Sequence, residues 1–168
     1  NGSLQHDGSG FQMGGFTEKN APTVRRNWAH STLKLGIRFD AGINPKTVNA
    51  EGQVLGNVTW NSGGIKLKGD KHLAVNNLCF NSPSGLIPMI APKWKSTNKN
   101  TIIANNLSNR ISANSRKDVQ LICKQVANLV DSAELYLRDP KNLDFRPLVN
   151  STIIDAGTIL TETDFTGL

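Results

Sequence analysis

Cysteine is nearly absent from this chain: Cys79 and Cys123 are the only two in 168 residues. Two cysteines so far apart build neither a disulfide-stapled miniature fold nor a Cys-rich zinc site. They leave a single bridge or two buried free thiols as the open alternatives. Histidine is as sparse, and His6, His30 and His72 do not fall on equivalent repeat positions, so no metal site is read from them. No apolar run approaches the roughly 18 residues that a membrane-spanning helix needs. No long block of like charge is present, which removes the basic tail typical of nucleic-acid binding. Missing too are a phosphate-cradling glycine loop, a nucleophile elbow and any nucleic-acid-binding motif. The opening "NGSLQHDGSG" has neither the basic start nor the apolar middle of a secretory signal. The expectation is therefore a single domain over residues 1–168 that is the C-terminal portion of a longer protein.

What is present is a moderately apolar, basic chain. Hydrophobic residues make up 38% and charged residues 19%, with a net charge of +6. That composition supports one domain with a sizeable core and suits anionic partners.

Asparagine and glycine carry the pattern. Asn57-Val-Thr-Trp-Asn matches Asn77-Leu-Cys-Phe-Asn, and both match Asn27-Trp-Ala-His-Ser and, more weakly, Asn106-Leu-Ser-Asn. A second phrase is interleaved: Gly10-Phe-Gln-Met, Gly36-Ile-Arg-Phe, Gly64-Ile-Lys-Leu and Gly85-Leu-Ile-Pro. Recurrence every 20–30 residues or so, with insertions of variable length, marks a solenoid. The phrases are too short for helices, and apolar residues alternate with a cation in the second one, so each reads as a strand. The predicted fold is all-β: a parallel β-helix with coils over about 10–112 and an irregular cap over about 113–168. Stacked asparagines would hydrogen-bond to one another and to corner backbone. Inward stacks are predicted for Phe11, Ile37, Ile65 and Leu86, for Met13, Phe39 and Leu67, and for Trp28, Val58, Leu78 and Leu107. Trp60 is also read as inward. Beyond Ser112 the pattern fades. Val119, Ile122, Val126 and Val130 fit a short helix or irregular strands, in a segment expected to cover the sheet edge of the last coil. Residues 41–53 and 92–100 are read as loop insertions.

The coil pattern over about 10–110 resembles right-handed parallel β-helix proteins, above all polysaccharide lyases and related carbohydrate-associated proteins. The stretch Asp144-Phe145-Arg146-Pro147, then Ser151, then Ile154-Asp155-Ala156-Gly157, resembles the phrase that closes many such domains. The resemblance implies an extracellular module that binds acidic polysaccharide, either lyase-like or a non-catalytic structural or adhesion element. Four Asn-x-Ser/Thr sequons bear on secretion. Asn57 and Asn106 belong to the ladder, Asn1 is terminal, and Asn150 is the convincing acceptor.

The outward residues of the second phrase run Gln12, Arg38, Lys66, Ile87. Stacking sets Arg38 beside Lys66, where two cations about 5 Å apart repel by about 1 kcal/mol in water and about 3 kcal/mol at an effective dielectric of 20. Long side chains can splay to relieve that; where they do not, the pair is tolerated because an anion sits there. In lyases of the chondroitinase B and alginate lyase type, a lysine and an arginine on neighbouring coils act on a uronate, with Ca²⁺ held by acidic and amide ligands. The resemblance therefore implies catalytic roles for Lys66 and Arg38 and leaves the ligands of any Ca²⁺ unassigned. Here the arginine precedes the lysine, and no Glu-x-Glu or Asp-x-Asp stands beside Lys66. Substrate-binding roles are read for His30, Lys68, His72 and Trp94. The alternative is a solvated sheet face without a ligand. Asp7, Asp40 and Asp70 are a weaker carboxylate set for glycoside hydrolysis.

Overall fold

In a computed structural model the chain forms a right-handed parallel β-helix; the structure describes residues 8–14, 20–40, 51–90, 97–113 and 121–161. Three parallel sheets form its faces. Sheet A stacks β1 (Phe11–Met13), β4 (Ile37–Phe39), β7 (Ile65–Lys68) and β10 (Leu86–Met89). Sheet B stacks β2 (Thr23–Arg25), β5 (Gly52–Leu55), β8 (His72–Val75), β11 (Ile102–Ala104) and β13 (Lys124–Val126). Sheet C stacks β3 (Trp28–His30), β6 (Val58–Trp60), β9 (Leu78–Phe80), β12 (Leu107–Ser108) and β14 (Leu129–Val130). An antiparallel hairpin of β15 (Leu137–Asp139) and β16 (Asp144–Pro147) follows.

The register of sheet A is the one its sequence phrase predicts. Phe11, Ile37, Ile65 and Leu86 pair in a column, as do Met13, Phe39 and Leu67. Ile37, Phe39, Ile65, Leu67 and Leu86 are fully buried and pack with Val54, Ala74 and Ile103 of sheet B in the lumen. The glycine heading each copy is a steric requirement. A Cβ on Gly64 would run into the carbonyl of Gly85, and one on Gly85 into that of Arg110, while both residues hold positive φ (84° and 61°).

The asparagine ladder joins sheets B and C. Asn57 Oδ1 accepts from both the backbone N–H (3.0 Å) and Nδ2 (3.2 Å) of Asn27. Asn77 Oδ1 accepts in the same way from Asn57, and Asn106 Oδ1 from Asn77. Each Nδ2 also donates to a corner carbonyl: Asn57 to Val24, Asn77 to Val54 and Asn106 to Ala74. The ladder has one more rung, Asn128, which accepts from Asn106 and donates to the Ile103 carbonyl at 2.7 Å.

That rung decides between the two alternatives for the region after Ser112, in favour of strands. Val126 and Val130 lie in strands β13 and β14, Ile122 is exposed, and Val119 is outside the described residues. The coils therefore continue to Val130, and no helix runs through the described residues 121–130. Tertiary stacking outweighs a three-and-four spacing of apolar residues that suited either structure.

Sheet C reverses another expectation. Its lumen column is Ala29, Thr59, Cys79 and Ser108, all buried, so the Trp28–Val58–Leu78–Leu107 column faces outward. Trp60 is likewise on the outer face and is buried there. The cover is the C-terminal hairpin: Phe145 packs against Trp28 (5.5 Å between ring centroids), Trp60 (5.3 Å) and Phe80 (6.3 Å), and Ile153 joins the same cluster. Asn105 secures the strap beyond it, exchanging two 2.9 Å hydrogen bonds with the Thr158 backbone. The described part of the cap from Ala133 onward thus lies along the outer face of sheet C rather than over the edge of the last coil. Both cysteines are free and buried, and burial raises the pKa of each thiol to about 11.

Candidate functional site on the outer face of sheet A

Period-two alternation in β4 and β7 turns Arg38, Lys66 and Lys68 away from the lumen. Arg38 and Lys66 are direct register partners, with Gln12 on one side and Ile87 on the other. Ile87 is fully buried although it faces outward, so this end of the stripe is covered rather than solvated.

The stripe contains its own anion. Asp40 follows Arg38 by two residues and therefore shares its face. Its Oδ2 lies 2.7 Å from Arg38 Nε, a charge contact not aligned as a hydrogen bond, and its Oδ1 lies 2.7 Å from Lys68 Nζ. Gln12 Nε2 donates to Oδ2 at 3.4 Å. One carboxylate thus ties together three successive coils. The carboxylate and its two cations are each about four-fifths or more buried, where a charge pair is screened less than at an open surface.

Lys66 is left over. Among the described residues it forms no ion pair. Its ammonium is held below the ordinary lysine range, first by burial, then by the charges of Lys68 and Arg38, with a smaller opposing pull from Asp40 and a further push from Lys34. Among the described residues Asp40 is the carboxylate beside these three cations, and Lys66 is the one it does not pair.

The other residues expected at the site do not join it. His30 is on the outer face of sheet C, exposed, and its ring stacks on Trp60 with centroids 4.3 Å apart and planes 10° from parallel. His72 is a core residue, 1% exposed: Nε2 meets the Lys68 carbonyl at 2.9 Å, the ring packs near Phe39, and burial lowers its pKa. It faces inward because it begins β8 in register with Gly52, whose missing side chain leaves the ring its space. Trp94 and Asp7 lie outside the described residues. Asp70 accepts from the backbone N–H groups of Thr97 and Lys99, on another turn from Asp40, so no carboxylate pair forms between them.

The Ca²⁺ implied by the lyase resemblance does not fit this face. Its one described carboxylate already holds two cations, and among the described residues no three His, Cys, Asp or Glu side chains group closely enough to hold a metal. Asp40 is the residue that sequence reasoning undervalued at this site. The signal was there: a carboxylate two positions from an arginine in a strand lies on the same face.

Comparison with known proteins adds no assignment: no family model matches the chain, and neither a curated protein nor a solved structure matches it. Among the described residues no helix is long and apolar enough to cross a membrane. The architecture is a β-helical module whose outer faces present side chains in fixed register, which suits ligand binding.

Proposed function

We propose that the outer face of sheet A binds an acidic polysaccharide, with Lys66 as the principal carboxylate contact and Arg38 and Lys68 as flanking charges. The observation that carries this reading is the half-buried Lys66, in register with Arg38 and two residues from Lys68 on its own strand, both of which pair with Asp40. An incoming uronate carboxylate would relieve that repulsion, so binding and charge compensation are one event. Cations fixed at the strand spacing of about 4.8 Å also suit an extended polyanion better than a compact one. The reading carries an extracellular setting, which the exposed Asn150 sequon supports.

The test is binding of polygalacturonate, alginate and chondroitin sulfate at several salt concentrations. Affinity for at least one should fall steeply with salt, and Lys66→Ala should weaken it about tenfold, equivalent to about 1.4 kcal/mol, with the fold unchanged. A Lys66→Ala protein that binds as the parent does removes the site, and no binding to any polyanion favours a structural or adhesion element.

A second reading, β-elimination, has one observation behind it. A lysine with a lowered pKa has more neutral amine available to take the C5 proton of a uronate as the C4–O bond breaks and the C4–C5 double bond forms. The leaving oxygen takes a proton from solvent or from an acid. Absorbance of the unsaturated product, lost in Lys66→Ala, would establish it.

A further inference from the structure

Asn105 grips the strap, and one coil away a second asparagine stands in the same place. Asn105 and Asn76 occupy equivalent positions at the corner between sheets B and C. Each holds a left-handed φ (54° and 57°), and each donates its backbone N–H to the next coil, Asn105 to the Val126 carbonyl and Asn76 to that of Ala104. The two side chains therefore leave the corner from one backbone conformation, about 4.8 Å apart. At Asn105 the amide is engaged: Oδ1 accepts from the Thr158 N–H and Nδ2 donates to the Thr158 carbonyl. At Asn76 the side chain is exposed and has no hydrogen-bond partner among the described residues. The corner does not by itself demand asparagine, because Arg26 and Ala127 take the same left-handed conformation there (53° and 46°).

Both amides line one groove of about 290 Å³, together with Leu78 and Leu107 of sheet C and Phe145 and Ile153 of the C-terminal cap. Those four apolar residues are half-buried, so the groove is open as well as apolar. On the coil before Asn76 the corner residue is Gly56, where a Cβ would meet nothing nearer than 3.9 Å, so the amide is approachable from that side. The strap shows what such an amide takes. An extended residue carries its N–H and C=O on one edge, as Thr158 does, and a primary amide pairs with both. The N–H and C=O of a lone trans amide, such as the acetamido group of a sugar, point opposite ways and meet only half of it. A Cβ on Gly157 would just touch the Asn105 amide, at 3.4 Å, so the residue before the gripped one is small. The apolar lining suits side chains better than hydroxyl groups.

We propose that Asn76 and this groove bind an extended polypeptide segment of a partner protein. One residue of the segment pairs its N–H and C=O with the Asn76 amide, a small residue precedes it, and a nearby apolar side chain enters the groove beside Leu78 and Leu107. Main-chain hydrogen bonds then supply affinity and the apolar groove supplies selectivity, as where a peptide adds to a sheet edge. The strap of this chain is already committed to Asn105, so the occupant of Asn76 comes from another protein. The site is independent of the polysaccharide reading, since it uses neither sheet A nor its cations.

The probe is a fluorescein-labelled peptide with the strap sequence from Ile153 to Leu160, because that sequence already fits an equivalent amide. Fluorescence anisotropy should show it binding the parent protein and binding Asn76→Ala about tenfold more weakly, the effect of losing two hydrogen bonds. Ala127 shows that alanine is accepted in this backbone conformation, and circular dichroism checks that the variant keeps its β signal. The same peptide N-methylated at the position of Thr158, which cannot donate, should bind the parent as weakly as the unmodified peptide binds Asn76→Ala. No binding to the parent up to about 1 mM peptide overturns the proposal. So does equal affinity for the parent and Asn76→Ala, which would mean that the peptide displaces the strap at Asn105 instead. Sedimentation velocity supplies the last arm: self-association of the parent that Asn76→Ala abolishes would make the occupant a second copy and overturn its assignment to another protein.

Discussion

Two stacks in this molecule are built in the same way and behave in opposite ways. The Asn57–Asn77–Asn106 corner and the Arg38–Lys66 stripe each place like residues in register one strand spacing apart. An amide carries both a donor and an acceptor, so a pile of amides satisfies itself and can be buried. All three asparagines are 2% exposed or less. A pile of cations carries donors only. It needs a carboxylate, and Asp40 supplies one to two of three cations, leaving Lys66 with a lowered pKa. Self-complementary stacks hold the fold together, whereas stacks of one charge leave a demand that a ligand can meet.

The strongest way to break this contrast is Asn77→Leu. The change leaves the Asn57 N–H and the Val54 carbonyl buried without their partners and strips the acceptor of Asn106 of one donor. With each buried orphan costing about 1–3 kcal/mol, a loss of about 3–6 kcal/mol is expected in urea denaturation followed by circular dichroism. A loss below about 1 kcal/mol would mean that the ladder is ornamental.

Asn98→Leu should come next, at about 2–3 kcal/mol. Read from sequence alone, Asn98 sits in a loop insertion where substitution should do almost nothing. In the structure it is 1% exposed, donates to the Gly69 carbonyl at 3.0 Å, and holds φ of 59°. Leucine would lose the bond and strain the backbone. Asn98→Gly, which keeps the conformation, should recover part of the loss, and the difference between the two variants separates strain from hydrogen bonding.

The pH dependence tests the core against the surface. Burial lowers the His72 pKa from 6.5, so the unfolded chain binds a proton that the folded chain resists. Stability from this group is complete above about pH 6.5 and declines as pH falls through that value toward the lowered native pKa, by up to about 1.4 kcal/mol per pH unit. Urea midpoints at pH 7.5 and 5.5 should differ more for the parent than for His72→Gln. Equal differences would remove His72 as the cause.

The smallest expected effect is on the cation stripe. Asp40→Asn breaks two ion pairs that are about four-fifths buried and should cost about 1 kcal/mol, while leaving more of the charge of Arg38 and Lys68 to face a polyanion. Tighter, more salt-sensitive polyuronate binding by this less stable variant would sharpen the contrast, and weaker binding would argue that Asp40 orients the cations rather than occupying them.

The glycine-headed phrase and the asparagine corner were legible because each is a local pattern that fixes its own neighbours. A residue in a parallel stack meets its equivalents one coil away, so repetition in the sequence is contact in the structure. Asn128 escaped because its phrase, Asn-Leu-Val-Asp, keeps only the asparagine and one apolar residue of the repeat. The site was half legible: alternation placed Arg38 and Lys66 together on the outside, and the same alternation applied two residues further would have added Asp40.

Sequence alone determined the class of fold, the register of sheet A and four of the five ladder rungs, because these follow from periodicity. Only the tertiary structure decided which face of sheet C is inside. β6 and β9 carry apolar or aromatic residues on one face and Thr59 and Cys79 on the other, and burying apolar area would favour the first face as the lumen. The lumen took the small residues instead, because Phe145 and Ile153 arrive from the far end of the chain to cover the large ones. A repeat specifies what lies above and below each residue in its column, but what lies across from it depends on where distant chain comes to rest.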